Sequence, residues 1–360
     1  MERTRVRTNL SRWLPAAIIP ALIAGVALVA PLQASATQDL PAKNPQQVLA
    51  MVAGTQVHAF SGTMEQSSEL GLPELPAGEK FQNSPAATVL ELLSGSHTAR
   101  VYVDGPTKAR VQVMDKLAER DAIRNGSDLW LYNSDDNTTV HATLPAKDAT
   151  DGTPMHEAPN PATLGEKIVA ALDPSTRVTI GDDTTVAGRT AYNLVLTPRT
   201  AETLVRSVSI AVDSETGLPL RVQVLARGQE KPAFQLGFTA LTLAAPSADR
   251  FTFTPPAGSS VSELKLPAWK DGAKKDAAQM PGEHQPPRVI GTGWSAIVEI
   301  PAGAVPQELL RSPLVAGATT AVAEGRLLHT SLLNVLFTTD GRVFVGSVPA
   351  AQLQAAAEQR

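Results

Sequence analysis

Side chains that could carry out catalysis are scattered along the chain. The six histidines stand at His58, His97, His141, His156, His284 and His329. None of them forms an H-x-H or H-x-x-x-H pair, the spacing that lets two histidines bind one metal ion. The chain has no cysteine for a thiol nucleophile and no G-x-S-x-G motif for a serine nucleophile. The sequence therefore predicts no metal, no other cofactor and no enzymatic activity.

Adjacent carboxylates are the remaining candidates for acid–base chemistry. Asp135-Asp136 and Asp182-Asp183 each stand among Asn, Gly or Thr residues, which are typical of solvated turns. Gly291-Thr292-Gly293 is a glycine pair without the strand and helix of a dinucleotide-binding site, so it also predicts a turn. No motif in the sequence favours a hydrolase.

The first 36 residues have the pattern of an export signal. Four arginines precede an uncharged run from Leu14 to Ala30, and Ala34-Ser35-Ala36 matches a signal peptidase site. The uncharged run has 17 residues, the lower limit for a helix that spans a bilayer, and it contains Pro15 and Pro20. We expect an extracytoplasmic protein, cleaved after Ala36; an uncleaved N-terminal membrane anchor is the alternative.

Composition limits the partners of the exported chain. The first 36 residues carry four arginines and one glutamate, so their removal takes the formal net charge from −4 to about −7. This acidity argues against binding to nucleic acid or to an anionic membrane surface. Without cysteine there is neither a disulfide nor a lipid-modified cysteine, and the fold must depend on its apolar core.

Strand patterns dominate the region that follows. Apolar residues alternate with polar ones in Phe60–Glu69, on both sides of the Gly105-Pro106 turn, and on both sides of a turn at residues 213–217. Asn125–Leu144 is predicted to be a hairpin with its turn at Ser134–Asn137. Many strands with one apolar face predict a single curved antiparallel sheet.

Helix patterns interrupt the strands at three places. Asn44–Val57 begins with an N-cap asparagine followed by proline, and Thr163–Leu172 has apolar residues at helical spacing. Pro85–Leu93 crowds its apolar residues on one side. We expect the last two of these helices, Thr163–Leu172 and Pro85–Leu93, to lie in the concave face of the sheet, which gives an α+β fold class: an open half-barrel wrapped on helices.

The C-terminal quarter predicts a separate small α+β domain. Residues 264–288 are polar, charged and Pro-rich, as is typical of a linker. Residues 289–360 follow, with a strand at Ala296–Ile300, a hairpin around Asp340-Gly341 and a terminal helix after Pro349. The half-barrel domain accordingly covers residues 44–263.

Four segments, in this order and spacing, resemble the LolA-like family of periplasmic lipoprotein carriers and their relatives. They are Asn125–Asn133 (NGSDLWLYN), Leu194–Pro198 (LVLTP), Ala211–Pro219 (AVDSETGLP) and Phe251–Gly258 (FTFTPPAG). The resemblance covers about residues 44–261. It implies a half-barrel with an apolar cavity that takes acyl chains, each buried methylene contributing about 0.8 kcal/mol.

The resemblance also implies which residues line the cavity. They are strand residues Met64, Val101, Val103, Val111, Val113, Trp130 and Tyr132, and helix residues Leu90 and Leu93. The alternative interpretation is that this face is ordinary core, because the apolar face of a sheet beneath helices usually is.

Two departures from the family pattern affect the expected function. Lipoprotein carriers have a latch arginine before a proline, and the matching position here is Gly105-Pro106, so the latch is absent. The connection Gly71–Gly95 is long, and its predicted helix could serve as a replacement lid.

The C-terminal domain resembles in layout the relatives that regulate envelope-stress sigma factors. We therefore expect a carrier or receptor for lipid or lipoprotein; the alternative is a sensor that binds the extracytoplasmic segment of a membrane-bound anti-sigma factor.

Overall fold

The computed structural model describes residues 40–72, 95–114, 118–144, 160–172, 174–264, 287–305 and 313–359. The predicted export signal, the predicted helix Pro85–Leu93 and most of the predicted linker lie outside the described residues. No helix within these ranges combines the length and the apolar character needed to cross a membrane.

One large sheet occupies the N-terminal two thirds of the described residues. Its strands are β1 (Ala59–Ser68), β2 (Gly95–Asp104), β3 (Lys108–Met114), β4 (Glu119–Asn125), β5 (Asp128–Asn133), β6 (Thr138–Thr143), β7 (Thr176–Val186), β8 (Arg189–Pro198), β9 (Val205–Asp213), β10 (Pro219–Ala226), β11 (Phe234–Thr242) and β12 (Ser260–Leu264). Their order across the sheet is β12-β6-β5-β4-β3-β2-β1-β11-β10-β9-β8-β7. Neighbouring strands are antiparallel, except that β12 runs parallel to β6. The sheet is curved and unclosed, as predicted.

The predicted turns join the strands where the sequence placed them. Gly105 has a φ of 69°, a conformation that glycine adopts without strain, and it starts the turn between β2 and β3. The turn between β9 and β10 contains Gly217, with a φ of 75°. A Cβ at Gly217 would lie 2.2 Å from the carbonyl oxygen of Met51, so this glycine lets the turn contact the first helix.

Two helices, α1 (Pro45–Ala53) and α2 (Pro161–Ala170), pack on one face of the sheet, here called the helix face. Each begins with an asparagine N-cap, Asn44 or Asn160, and has proline at its first position, which suits the start of a helix. The predicted α1 is present but ends at Ala53, before its predicted end at Val57, and α2 begins two residues before its predicted start. The cluster that joins them to the sheet contains Val48, Val52, Leu164, Ile168, Leu194, Ile210 and Val222.

The register shows that the helix face continues across the sheet. Val222 pairs with Leu236, and Leu236 pairs with Gln66, which shares a face with Met64 because side chains alternate along a strand. Met64 in turn pairs with Ala99, so the face continues onto β2. The apolar surfaces of β7–β10 and of β1–β3 are therefore parts of one face.

The opposite face of β2–β6, here called the outer face, is covered by residues 244–259, which run from β11 to β12. A short 3-10 helix, Ala248–Phe251, contacts β3 and β4, and Phe251 is only 1% exposed. Phe253 contacts Trp130 and Tyr132, with ring centroids 5.6 and 5.9 Å apart. This crossing segment carries the chain to the far edge of the sheet, where β12 pairs with β6.

A second sheet follows in the C-terminal part of the described chain. Its strands are β13 (Arg288–Ile290), β14 (Ile297–Ile300), β15 (Thr320–Val322), β16 (Gly325–His329), β17 (Asn334–Thr338) and β18 (Val343–Gly346), in the order β13-β14-β18-β17-β16-β15. Helix α3 (Pro313–Ala318) precedes β15, and α4 (Ala350–Glu358) packs Leu353 against Leu336 and Phe344. The strand near Ala296–Ile300, the hairpin around Asp340-Gly341 and the terminal helix agree with their predictions.

Direct contacts join the two sheets. The carbonyl oxygen of Ser347 accepts hydrogen bonds from the Leu204 amide, at 2.7 Å, and from the Thr203 hydroxyl, at 2.8 Å. The indole Nε1 of Trp294 donates to the Thr176 hydroxyl at 2.9 Å, and the Trp294 ring packs against the cluster beneath α1 and α2. The second sheet is therefore held against the first at several separate points.

Candidate functional site

Five of the predicted cavity residues come together on the helix face. Met64, Val101 and Val111 are buried in one apolar cluster, and Val103 and Val113 pack against it while keeping part of their surface exposed. The cluster also contains Ala162 of α2, and it contains Phe60 and Phe238, whose rings meet edge to face at 5.8 Å. These strand residues are positioned by the alternation in β1, β2 and β3, as the sequence pattern predicted.

The same apolar face extends beyond the helices to the edge of the sheet. Val111 pairs with Ala122, Ala122 with Leu131, and Leu131 with Val140, so the register carries the face across β4, β5 and β6. Leu131 is 41% exposed, whereas Val111 is 7% exposed. The face is thus packed core near α2 and an open apolar surface near the edge.

Trp130 and Tyr132 lie on the outer face and do not join the other five. Trp130 pairs with Ile123 and His141, and its ring stacks on His141 with centroids 4.0 Å apart. Both aromatic residues contact Phe253 of the crossing segment. The seven described residues of the predicted cavity thus occupy two opposite faces, and Leu90 and Leu93 lie outside the described residues.

The turn that corresponds to the family's latch position lies at the end of the β2–β3 hairpin. The Gly105 amide donates to the carbonyl oxygen of His58 at 2.8 Å, which fixes the turn against the start of β1. Glycine has no side chain that could reach a helix. Gly105 therefore offers no side-chain contact to α1 or α2.

His141 on β6, near the edge of the sheet, lies between two carboxylates. Its Nδ1 lies 2.9 Å from a Glu263 oxygen on β12, and its Nε2 lies 3.1 Å from an Asp128 oxygen on β5. Burial opposes the charged ring, but the hydrogen bonds to Glu263 and Asp128 outweigh it and raise the pKa of His141. The imidazole therefore ties β12 to β5 and β6 most strongly when it is protonated.

A buried ion pair lies beneath the crossing segment. The Arg110 Nε donates to Asp121 at 3.0 Å, and its Nη2 donates to the second carboxylate oxygen of Asp121. Arg110 also donates to the carbonyl oxygen of Arg250 at 3.3 Å, which attaches the crossing segment to β3. Burial raises the pKa of Asp121, and the hydrogen bonds from Arg110 oppose that rise. The Arg110–Asp121 pair therefore joins β3 to β4, and Arg110 also holds the crossing segment against β3.

Metal binding finds no support in the described ranges. No three side chains of His, Asp or Glu converge there in an arrangement that could hold a metal ion. The helix face offers an apolar surface that can bury an apolar group. The outer face offers hydrogen-bonding groups around aromatic rings.

The curved, unclosed antiparallel sheet with two helices on its apolar face defines a half-barrel of the LolA-like/MucB-like class. Residues 88–259 match the family model described as the MucB/RseB N-terminal domain. The fold recognised from the four sequence motifs is thereby confirmed. No curated protein sequence matches the chain.

Solved structures to which this chain is similar come from several bacteria. The Pseudomonas aeruginosa MucA/MucB complex contains a chain with 16% identity and a TM-score of 0.41, covering 87% of this chain and 96% of its own. An uncharacterized conserved protein from Thermus thermophilus has 13% identity and a TM-score of 0.35, covering 61% and 98%. A LolA superfamily protein from Nitrosomonas europaea has 11% identity and a TM-score of 0.24, covering 59% and 99%.

Proposed function

We propose that the protein is an exported, non-enzymatic binding protein that holds an acyl chain of a lipid or lipoprotein on its helix face. The observation that supports this proposal is the course of the apolar face. It continues from the buried cluster at Met64 and Val101 through Ala122, which lies between Arg120 and Arg124 on β4, to Leu131, which is open to solvent. An acyl chain laid along this face would be held by the hydrophobic effect.

The size of that effect is sufficient for stable binding. Each methylene removed from water contributes about 0.8 kcal/mol, so ten methylenes contribute roughly 8 kcal/mol before the costs of association. Binding in this mode needs no charged group. It agrees with the mild acidity expected of the exported chain, which does not favour electrostatic attachment to an anionic bilayer.

Mass spectrometry of bound lipid tests the proposal. The full chain is exported from its host, purified without detergent and extracted with organic solvent, and the extract is analysed for acyl-chain compounds. We expect an acyl lipid at close to one molecule per protein. Repeated native preparations that contain no such compound would contradict the proposal.

A pair of leucine variants shows whether the lipid lies on the helix face. Leu131→Glu places a charge on the open part of this face, and we expect it to lower the bound lipid at least tenfold, because a buried charge is costly. Leu333→Glu is the matched control: Leu333 is 39% exposed but belongs to the loop before β17 in the second sheet. Equal lipid loads in the two variants would place the ligand elsewhere.

A second candidate function is recognition of an extracytoplasmic segment of a membrane protein. It is motivated by the family match together with a stripe of apolar residues on the second sheet. Register pairs join Val289, Val298, Val345, Val335 and Leu328 in one row across five strands. The row lies on the face opposite α4, and Val289 is 63% exposed. The matched family model carries the name of MucB, and a solved structure shows MucB in complex with MucA.

Co-purification distinguishes this candidate from lipid carriage. A tagged full chain, cross-linked in its own cells, should capture a membrane protein with a single span, and Val289→Asp should abolish the capture. Val261→Asp is the control, because Val261 is 51% exposed on the edge strand β12 of the first sheet. Failure to capture any such membrane protein would remove this candidate.

A further inference from the structure

On the face of β7–β11 that points away from α1 and α2, polar and small residues share one row, and the buried Ala191 lies on the same face of β8. Register pairs place Gly181, Asn193, Ala211, Arg221 and Gly237 in one row across these five strands. The residues next to them along the strands, such as Leu194 and Val222, belong to the apolar cluster beneath the helices. The row therefore lies on the outward side of this part of the sheet.

This side of the sheet is concave around Arg221, whereas the sequence predicted that the helices would lie in the concave face. The Nη2 of Arg221 on β10 donates to the Thr184 hydroxyl on β7 at 3.1 Å, although β9 and β8 lie between the two strands. Three strand spacings of about 4.8 Å make roughly 14 Å in a flat sheet, which is farther than an arginine side chain reaches. The sheet must therefore curl at this point, and β7 does approach β11 across the curl.

Two glycines make room in the concave surface. A Cβ at Gly237 would lie 2.9 Å from the Cγ of Arg221, and a Cβ at Gly181 would lie 3.0 Å from the Nδ2 of Asn193. With Ala211 between them, these positions form a shallow floor on which the arginine stem rests. Larger side chains at the two glycines would displace Arg221 and Asn193.

Arg221 differs from Arg110, Arg189 and Arg342 in its electrostatic surroundings. Arg110, Arg189 and Arg342 each face a carboxylate: Asp121, Asp213 and Asp340 respectively.

Burial lowers the pKa of Arg221, and no carboxylate among the described residues offsets this effect. A guanidinium has five N–H donors, and for Arg221 the structure assigns one acceptor, the Thr184 hydroxyl. The side-chain amide of Asn193 makes no hydrogen bond to another described residue.

We propose that Arg221, in contact with Thr184 and in one row with Asn193, binds an oxyanion group such as a phosphate or a carboxylate. The guanidinium supplies a fork of parallel donors that matches two oxygens of such a group, and the Asn193 amide supplies a further donor. The side chain of Arg221 lies on the opposite side of the sheet from α1 and α2 and offers polar chemistry, although Ala211 in the floor belongs to the same buried cluster as Met64 and Val101.

Titration calorimetry with inorganic phosphate and, separately, with acetate tests this site on the full chain. Ionic strength is held constant with chloride, so that general screening does not contribute. We expect the wild type to bind at least one of the two ions, and a preference between them identifies the class of oxyanion. Absence of binding for both ions would overturn the proposal.

Variants assign the binding to the concave face. Arg221→Gln should weaken binding at least tenfold, and Arg221→Lys should restore only part of it, because lysine keeps the charge but lacks the fork. Arg206→Gln is the matched control: Arg206 is exposed on β9 and donates to the carbonyl oxygen of Gln229 at 3.5 Å. Equal affinity in the Arg221→Gln and Arg206→Gln proteins would refute the assignment.

A further variant guards against a folding defect. If Arg221→Gln unfolds, Asn193→Ala removes one donor and leaves the arginine strut between β10 and β7 in place. We expect Asn193→Ala to keep the wild-type melting temperature in chloride and to weaken oxyanion binding several-fold. Unchanged affinity in that folded variant would count against the site.

Discussion

His141 connects three strands through one ring. Its ring nitrogens face carboxylate oxygens of Asp128 on β5 and Glu263 on β12, which accept hydrogen bonds from the ring N–H groups, and the ring stacks on Trp130. Because the folded state raises the pKa of His141, its contribution to stability is fully present below the ordinary histidine pKa of about 6.5. That contribution is lost as the pH rises through the raised value of the folded protein.

Hydrogen exchange of the β12 amides checks this pH dependence. We expect the amides of residues 260–264 to be better protected at about pH 5.5 than at about pH 8.5, after correction for intrinsic exchange rates. The difference in the free energy of opening of β12 between the two pH values should be less than about 1 kcal/mol, because Asp128 and Glu263 are half exposed. His141→Gln should remove the difference. An equal pH dependence in wild type and variant would contradict the prediction.

Arg110 and Asp121 show how a polar pair stabilises a central strand. The Asp121 side chain is 1% exposed, and its carboxylate is held by Arg110. Asp121→Ala should destabilise the protein by about 3–5 kcal/mol, because it leaves a desolvated arginine without its partner. The Arg110→Met, Asp121→Leu double variant should lose much less, because it leaves no unpaired charge. Urea unfolding of the two proteins measures both values; equal losses would show that the charges do not matter.

Among the elements, α2 approaches the sheet most closely at Gly165. A Cβ there would lie 2.5 Å from the Cβ of Pro219 on β10. Replacing a glycine inside a helix by alanine normally stabilises the helix by about 0.5–1 kcal/mol.

Here we expect the opposite sign. Gly165→Ala should destabilise the protein by about 1–3 kcal/mol, because the helix must move away from β10. Thermal and urea unfolding of the variant supply the measurement, and a stabilised Gly165→Ala protein would show that α2 moves without cost. A helix that shifts this easily would also be free to move aside for a ligand on the helix face.

Elements with a clear local signal could be predicted from the sequence. The N-cap asparagine and proline of α1, the Gly105-Pro106 turn and the alternation in β2 and β3 are all local features, and the structure has them.

Strand β4 (Glu119–Asn125) is different, because its sequence, ERDAIRN, is mostly polar. It is a central strand because Arg110 on the neighbouring strand pairs with Asp121. Such a pairing depends on tertiary structure and leaves no local pattern.

The candidate site could be predicted only in part for a related reason. Strand β5 contains Leu129-Trp130-Leu131-Tyr132, which is apolar on both faces, so alternation does not reveal which side chains point to the helices. The register shows that Leu131 shares the helix face, while Trp130 and Tyr132 meet Phe253. The deciding contact comes from a segment about 120 residues later in the sequence.

On the scale of the whole molecule, the contacts between the two sheets determine how the protein unfolds. Trp294 and Leu332 from the second part of the chain pack against the cluster beneath α1 and α2, and Ser347 accepts two hydrogen bonds from residues 203–204. Because apolar burial and hydrogen bonds both cross this boundary, we expect the described parts to unfold in one cooperative transition.

Trp294→Ala tests this coupling. It removes both the indole hydrogen bond to Thr176 and most of the apolar contact, so we expect the second sheet to unfold in a separate, earlier transition in differential scanning calorimetry. Trp294→Phe loses the hydrogen bond but keeps most of the packing, and it should retain a single transition at a melting temperature a few degrees lower. Leu333→Ala is the control, because Leu333 is exposed in the neighbouring loop and should leave the single transition unchanged. Two transitions in the wild type would mean that the contacts around Trp294 are too weak to couple the sheets, and a ligand bound to one sheet would then leave the stability of the other unaffected.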